Sequence, residues 1–182
     1  MQIDIVGNGP SNRLWKKTDR RWVQCNLPHH DGIPDAMVIV DFQPIRWMMD
    51  NQYYPQSKIL ATKRAYDFAI NKLKNKIHIE CIWNAPRDEG FMNSGQAAVL
   101  YFSPDATKIH LWGFDSMYDG ITDSKMDDKV PRRRGANLVK QWDSYWLNIF
   151  PLFPSVEYII YGKGPAKLMN NYGSNVRYSQ MD

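Results

Sequence analysis

The sequence predicts an α/β fold with a single Rossmann-like, doubly wound and mostly parallel sheet and a lid loop. Segments typical of strands and of helices alternate along the chain. Residues 36–40 (AMVIV) form a near-continuous apolar run, which is typical of a strand buried on both faces and hence of a parallel sheet. The length of 182 residues and the 43% hydrophobic content suit one domain, residues 1–182.

The first strand leads into a glycine turn. Residues 3–6 contain three β-branched residues, and the turn that follows favours a helix start through its proline and serine. This turn consists of Gly7, Asn8, Gly9, Pro10 and Ser11. Glycine lets the backbone approach a phosphate closely, and the unpaired N–H groups of a first helical turn attract anions. The turn therefore predicts a nucleotide or nucleotide-sugar site, although an ordinary tight turn would show the same residues.

The turn differs from the dinucleotide-binding fingerprint at two positions. Asn12 stands where the GxGxxG pattern requires its third glycine, and Asn26 stands at the predicted tip of the second strand, where NAD-binding proteins carry an acidic residue. The sequence therefore disfavours NAD.

The remaining elements follow from apolar periodicity and from helix-start and turn signals. Further strands are predicted at residues 21–25, 58–62, 77–83, 109–112 and 156–161, the last one of the sheet. Helices are predicted at residues 44–51, 63–74 with Thr62 as N-cap, 95–102 and 136–150. Residues 116–135 are predicted to form a lid, because so long a loop is typically functional. The polar residues 163–182 are predicted to be irregular.

Ligands of doubly wound sheets bind at the carboxyl ends of the strands. The residues predicted at this edge are those of the glycine turn together with Asn26, Asp41, Trp83-Asn84 and Gly113 to Asp115. Asn93, Ser94 and Gly95 begin a helix there and add a second set of N–H groups that can face an anion.

Composition bounds the function only broadly. The net charge of +4 is mildly basic and favours phosphorylated ligands. Cys25 and Cys81 lie in predicted strands, as expected for reduced thiols, and no zinc, EF-hand or DxD pattern is present, so no metal is expected. No signal-peptide pattern occurs and no apolar run reaches the roughly 18 residues of a membrane span, which predicts a soluble cytoplasmic protein.

Four motifs together resemble a known family. They are GNGPS at residues 7–11, CN at 25–26, SG opening an alanine-rich helix at 94–95, and I-x-L-x-G-x-D at 109–115. This order is similar to that of the bacterial CMP-sialic acid sialyltransferases of glycosyltransferase family 42, over residues 3 to 118, about two thirds of the chain. The resemblance implies a single Rossmann-like sheet with a lid, a CMP-type donor, a glycan or other hydroxyl acceptor, and no metal cofactor.

The resemblance also implies roles for individual residues. Asn8 and Asn26 would contact the phosphate and ribose of the donor, and Ser94 with Gly95 would hold its cytidine or carboxylate. Gly113 with Asp115 would shape the nucleotide pocket, and Tyr118 would stabilise the departing phosphate. Asp41 stands where the family has an asparagine that touches the donor, and this charge leaves the donor sugar open.

The general base of the family is a histidine in the C-terminal third, whereas the last histidine of this chain is His110. His29 and His30, in the loop after the second strand, are candidates because histidine titrates near neutral pH, although loop histidines without a catalytic role fit equally. Asp41 and Asp115 are the alternatives.

Arg132, Arg133 and Arg134 precede a predicted helix, where cations oppose the helix dipole. They are candidates for a clamp on a donor phosphate or for contact with nucleic acid, and a solvated basic run is the alternative.

The sequence thus predicts a metal-independent, sialyltransferase-like glycosyltransferase that uses a CMP-type donor and a hydroxyl acceptor. The first alternative is a protein that binds a nucleotide or nucleotide-sugar without catalysis. The second is a nucleic-acid-directed protein that uses Arg132 to Arg134 and Lys16-Lys17.

Overall fold

The centre of the molecule is a sheet of parallel strands. The computed structural model describes residues 1–73, 75–83, 93–131, 134–167 and 169–182, and eight strands within these ranges pair in parallel throughout. They are β1 (Gln2–Val6), β2 (Arg21–Cys25), β3 (Ala36–Ile39), β4 (Lys58–Thr62), β5 (Ile79–Trp83), β6 (Lys108–Trp112), β7 (Glu157–Lys163) and β8 (Val176–Met181). The predicted α/β fold is therefore confirmed.

The order of the strands across the sheet is β5-β4-β3-β2-β1-β6-β7-β8. The chain builds the sheet outward from β1 in one direction as far as β5 and then returns to add β6 on the other side of β1. This reversal creates a topological switch point between β1 and β6. In open parallel sheets, ligands bind in the crevice outside the carboxyl ends of the two strands at such a point.

Four α-helices in the described ranges cover the two faces of the sheet. They are α1 (Phe42–Asp50), α2 (Lys63–Ile70), α3 (Ser94–Phe102) and α4 (Leu138–Ile149). Strand β3 shows the alternation clearly, because Met37 and Ile39 pack in the core with α1 and α2, whereas Ala36 and Val38 pack in the core with α3 and α4. All of β3 is buried, as its apolar run predicts. No helix of the described chain is long and apolar enough to cross a membrane.

Two predicted element boundaries are wrong near the chain ends. Residues 10–14 form a short 3₁₀-helix instead of the start of an α-helix. Strand β8 lies in the tail that the sequence predicts to be irregular. As an edge strand, β8 pairs on one side only and is half exposed, so its sequence lacks the apolar run of a buried strand.

Thr62 precedes α2 as predicted but does not cap it with its side chain. Its hydroxyl donates instead to the carbonyl of Val40, at a distance of 2.6 Å. This bond joins the carboxyl end of β4 to the end of the β3 segment.

Candidate functional site

A cleft of about 300 Å³ lies outside the carboxyl ends of β1 and β6, at the topological switch point. Many residues that the sequence singles out come together in it. The predicted residues that line the cleft are Gly7, Asn8, Gly9, Asn26, Asp41, Asn93, Ser94, Gly95, Gly113, Asp115 and Arg134. These residues come from six separate parts of the chain, so the sheet topology brings them together.

The glycine turn after β1 packs against the turn after β6. Gly7 donates its N–H to the carbonyl of Trp112 at 2.6 Å, and Gly9 donates to the carbonyl of Gly113 at 2.9 Å. A Cβ atom at either Gly7 or Gly9 would lie 2.7 Å from the carbonyl oxygen of Gly113, and at Gly9 it would also overlap the carboxylate of Asp115. The two glycines thus permit close contact between two protein segments, which differs from the phosphate approach that the sequence predicts.

The predicted anion site at the start of the first helix holds a carboxylate of the protein itself. Buried Asp115 accepts hydrogen bonds from the N–H of Ser11 at 3.1 Å and from its hydroxyl at 2.8 Å. Asn12 donates its N–H to the carbonyl of Gly9, and Pro10 has none. The unpaired N–H groups predicted for this helical turn are therefore not observed among these residues.

Helix α3 supplies the donors that the first turn lacks. Asn93 accepts the N–H of Gln96 at 2.9 Å, and the side chain of Gln96 accepts the N–H of Asn93 at 3.1 Å, which forms a capping box. The N–H groups of Ser94 and Gly95 find no acceptor within the described chain, and both residues line the cleft. The positive end of the helix dipole therefore faces the cleft, as the sequence predicts for these residues.

Asn26 is held in position beside this helix start. Its backbone has φ of 60°, in the left-handed region that asparagine tolerates, and its N–H donates to the carbonyl of Val38 at 2.9 Å. Its side-chain Oδ1 accepts the hydroxyl of Ser94 at 3.0 Å. This bond fixes the amide plane, and the Nδ2 group has no acceptor among the described residues. The sequence motifs at 25–26 and 94–95 thus meet through a direct hydrogen bond.

The predicted lid forms another wall of the cleft. Residues 121–124 and Met126 line it, and the N–H of Lys125 donates to the carbonyl of Asn8 at 2.8 Å. Met126 is buried in the core with α1 and α2, so the lid is held both by the glycine turn and by this core. Arg134 forms a bidentate ion pair with Asp127, with distances of 2.6 and 2.7 Å, and its side chain is only 18% exposed. The guanidinium is therefore held at the cleft wall.

The wall opposite the strand ends is aromatic and belongs to α4. Trp142 is half-buried and Trp146 is 1% exposed, and both line the cleft. The indole of Trp146 stacks on Phe150 with ring centroids 5.2 Å apart and meets Phe114 edge-on. Its Nε1 atom has no hydrogen-bond partner within the described structure. An unsatisfied buried donor costs about 1–3 kcal/mol, so an acceptor atom of a ligand would be favourable there.

The two predicted catalytic histidines do not line the cleft. Burial lowers the pKa of His29 to about 4, with Lys129 as the next cause, and burial also lowers the pKa of His30. The ring of His30 packs edge-on against Trp15 at 4.9 Å. His29 is therefore neutral at pH 7.

The other predicted catalytic residues differ in accessibility. Asp41 is half-buried and lines the cleft, whereas Asp115 is buried and holds Ser11. Tyr118 is 2% exposed, does not line the cleft and donates its hydroxyl to Asp115 at 2.7 Å. Burial raises the pKa of Tyr118. Tyr118 is thus positioned to support Asp115 and is not exposed to a departing phosphate.

The remaining predicted binding residues lie elsewhere. Pro10 and Ser11 do not line the cleft, since Ser11 is turned to Asp115. Arg132 and Arg133, like Asn84, lie outside the described residues.

Several cleft residues were not predicted from the sequence. The strand-end residues Cys25 and Val40 precede predicted site residues, and burial raises the pKa of the Cys25 thiol, which keeps it protonated. Leu138 and Trp142 are four residues apart in the helix predicted at residues 136–150, so apolar periodicity places them on one face of it without indicating the cleft. Phe114 lies within the segment Gly113 to Asp115 that the sequence places at this edge, and residues 121–124 lie within the predicted lid, but the sequence assigns none of them an individual role.

No protein-family model, no curated protein and no solved structure matches the chain at a significant level.

Proposed function

We propose that the cleft binds a CMP-type nucleotide-sugar and that the protein transfers the sugar to a hydroxyl group of a glycan or another acceptor substrate, without a metal. One observation carries this proposal. The four motifs that resemble the sialyltransferases lie at one cleft, and this cleft occupies the switch point where α/β sheets bind ligands. The position of the cleft is independent of the resemblance.

The donor phosphate would bind at the start of α3. The N–H groups of Ser94 and Gly95 and the Nδ2 group of Asn26 supply donors, and Arg134 supplies a positive charge at the cleft wall. The glycine turn is less suitable, because the carboxylate of Asp115 lies at its helix start and would repel a phosphate.

In the transfer, the oxygen of the acceptor substrate would form a bond to the anomeric carbon while the bond from that carbon to the phosphate oxygen breaks. CMP leaves with the electron pair of this bond, and the donors at α3 stabilise its charge. The acceptor hydroxyl loses its proton to a carboxylate, for which Asp41 is the candidate because it is only half-buried and lines the cleft.

Binding without transfer is a second candidate function. One observation favours it. The structure describes all four histidines of the chain, and none of them lines the cleft, so no histidine is available there as a general base. The two functions share the ligand and differ in whether the donor is consumed.

Thermal-shift and calorimetric titrations with CMP, cytidine, UMP and CMP-sialic acid test the ligand. A ligand at about a hundred times its dissociation constant stabilises the protein by roughly 2.7 kcal/mol. Asn26→Asp keeps the oxygen that accepts from Ser94 but replaces the amide donor with an anionic oxygen, so it should abolish CMP binding. Asn26→Gly keeps the left-handed backbone and should weaken binding less.

The proposal fails if no cytidine ligand shifts the unfolding transition of the unmodified protein, or if Asn26→Asp binds CMP normally. Consumption of CMP-sialic acid, measured by release of CMP, then separates the two functions. Asp41→Asn should retain CMP binding and lose release, whereas a protein that only binds releases no CMP in any form.

A further inference from the structure

The outer surface of α1 and α2 carries aromatic rings that are covered by cations. Every cation–π contact found in the described chain lies on this surface, which we term the aromatic–cation face. Its pairs are Arg64 over Phe42 at 5.1 Å, Lys72 over Phe68 at 4.3 Å, Lys76 over Tyr54 at 5.0 Å and Lys129 over Trp47 at 5.8 Å.

The positive charge of the protein is concentrated in the same segment. Residues 42–76 contain seven basic residues and two acidic ones, Asp50 and Asp67, which gives a net charge of +5 against +4 for the whole chain. The rest of the chain is therefore slightly negative. The basic residues of the segment are Arg46, Lys58, Lys63, Arg64, Lys72, Lys74 and Lys76.

The cations of the aromatic–cation face are not neutralised by carboxylates. Lys58 pairs with Glu80 and Lys63 pairs with Asp67. In contrast, the four cations that lie over rings form no ion pair with a carboxylate of the described residues. Their charge therefore remains available to an anionic partner.

Two of these cation–ring pairs adjoin each other across α1 and α2. Arg64 and Phe68 are spaced four residues apart and lie on one side of α2, and Lys72, in the turn after the helix, lies over the ring of Phe68. Phe68 contacts Phe42 of α1, with ring centroids 5.3 Å apart, and Tyr54 beyond the end of α1 is 38% exposed. Aromatic rings thus alternate with cations across two neighbouring helices.

We propose that the aromatic–cation face binds single-stranded nucleic acid. The cations would move from the rings to the phosphates, and the ring faces so released would stack on bases. Single strands combine a regular row of phosphates with accessible base faces, which matches alternating cations and rings. The bases of a duplex stack on each other and do not offer these faces. The inference does not depend on the proposed function of the cleft.

Fluorescence anisotropy with a labelled oligothymidylate of about 20 nucleotides, longer than the roughly 4–16 nucleotides of common single-strand sites, tests the proposal. The double variant Lys72→Glu/Lys76→Glu should bind at least about tenfold more weakly. Its slope of log affinity against log salt should be smaller by about 1.4, since each phosphate contact of a single strand contributes about 0.7. Tyr54→Ala should weaken binding several-fold and leave the slope unchanged.

Lys140→Glu/Lys163→Glu is the matched control, because both lysines are exposed outside this face and the charge change is the same. This variant should keep most of the affinity. The proposal is overturned if the two double variants bind alike, if Tyr54→Ala has no effect, or if the unmodified protein does not bind the oligonucleotide at low salt. Equal affinity for heparin, a polyanion without bases, would also overturn it in favour of an anionic-glycan surface.

Discussion

The carboxylate of Asp115 accepts both the backbone N–H and the hydroxyl of Ser11, a residue 104 positions earlier in the chain. The bonds join the turn after β1 to the turn after β6, and these two strands are neighbours in the sheet. They also place a protein carboxylate where a phosphate would bind in a nucleotide-binding helix start. The hydrogen bonds between Asp115 and Ser11 therefore stabilise the two turns at the edge of the cleft.

Asp115→Asn should destabilise the protein by about 2–3 kcal/mol, because hydrogen bonds to a charged group are lost. In addition, the amide NH₂ group of asparagine would face the N–H and hydroxyl groups that donate to the carboxylate of Asp115. Urea unfolding with linear extrapolation measures this free energy. Asp123→Asn is the control, since Asp123 is exposed at the same cleft and should change stability little. Equal effects of the two substitutions would show that the Asp115 carboxylate does not hold the turns together.

Gly9→Ala should destabilise the protein by about 1–3 kcal/mol, the usual cost of overpacking, because its Cβ would meet the Asp115 carboxylate and the carbonyl of Gly113. Gly135→Ala is the matched control. A Cβ at Gly135 meets nothing within 4 Å, so this substitution should be neutral or stabilising. If Gly9→Ala kept full stability and lost only nucleotide binding, the glycine would serve ligand approach after all.

The sequence predicts the central part of the fold well because buried parallel strands have a strong signature. The run at β3, with all four residues buried on two faces, is the clearest case. Strand β8 is not predicted, because a half-exposed edge strand does not need a continuous apolar run. Its buried Val176, for example, is followed by exposed Arg177. Its pairing with β7 is decided by tertiary contacts.

Only part of the candidate site is predictable from the sequence. Residues at the ends of parallel strands, such as Asn26 and Asp41, converge because the sheet topology requires it. The hydrogen-bond partner of Ser11 is not predictable from the sequence. Local sequence does not show that the carboxylate of Asp115, 104 residues further along the chain, accepts the N–H of Ser11. The sequence therefore does not reveal that a carboxylate of the protein itself lies at the helix start where it predicts a phosphate.

Acid should destabilise the protein through His29. Its pKa falls from 6.5 to about 4 on folding, because of burial first and then the charges of Lys129, His30 and Lys125, with Asp128 opposing them. The unfolded chain therefore binds more protons between pH 6.5 and 4. The free energy of unfolding should fall as the pH drops through this window, by at most about 1.4 kcal/mol per pH unit.

His29→Gln should reduce the slope of the unfolding free energy between pH 6.5 and 4, measured by urea titrations across the window. A smaller slope should remain, because burial also lowers the pKa of His30 and of His110. His78→Gln replaces an exposed histidine and should leave the dependence as it is. A pH profile of His29→Gln that matches the unmodified protein would exclude His29 as its source.

The ion pair of Arg134 and Asp127 gives the last prediction, which tests how the phosphate of a nucleotide is recognised. A bidentate bond orients the guanidinium at the cleft wall, and a charge-assisted hydrogen bond is worth about 1.5–3 kcal/mol. Arg134→Met should therefore weaken CMP binding by about tenfold to a hundredfold and leave cytidine binding nearly unchanged. Asp127→Asn should change CMP binding less, because the charge of Arg134 remains and the loss of its orientation is opposed by the loss of the neighbouring negative charge.

Calorimetric titration of each variant with CMP and with cytidine gives the ratio of the two affinities, which isolates the contribution of the phosphate. Lys163→Met removes an exposed positive charge outside the cleft lining and should not change this ratio. If Arg134→Met weakens both ligands equally, the ion pair only holds the lid in place, since a structural change lowers both affinities together. A selective loss of CMP binding would instead place the phosphate beside the guanidinium, because cytidine shares every other group with CMP.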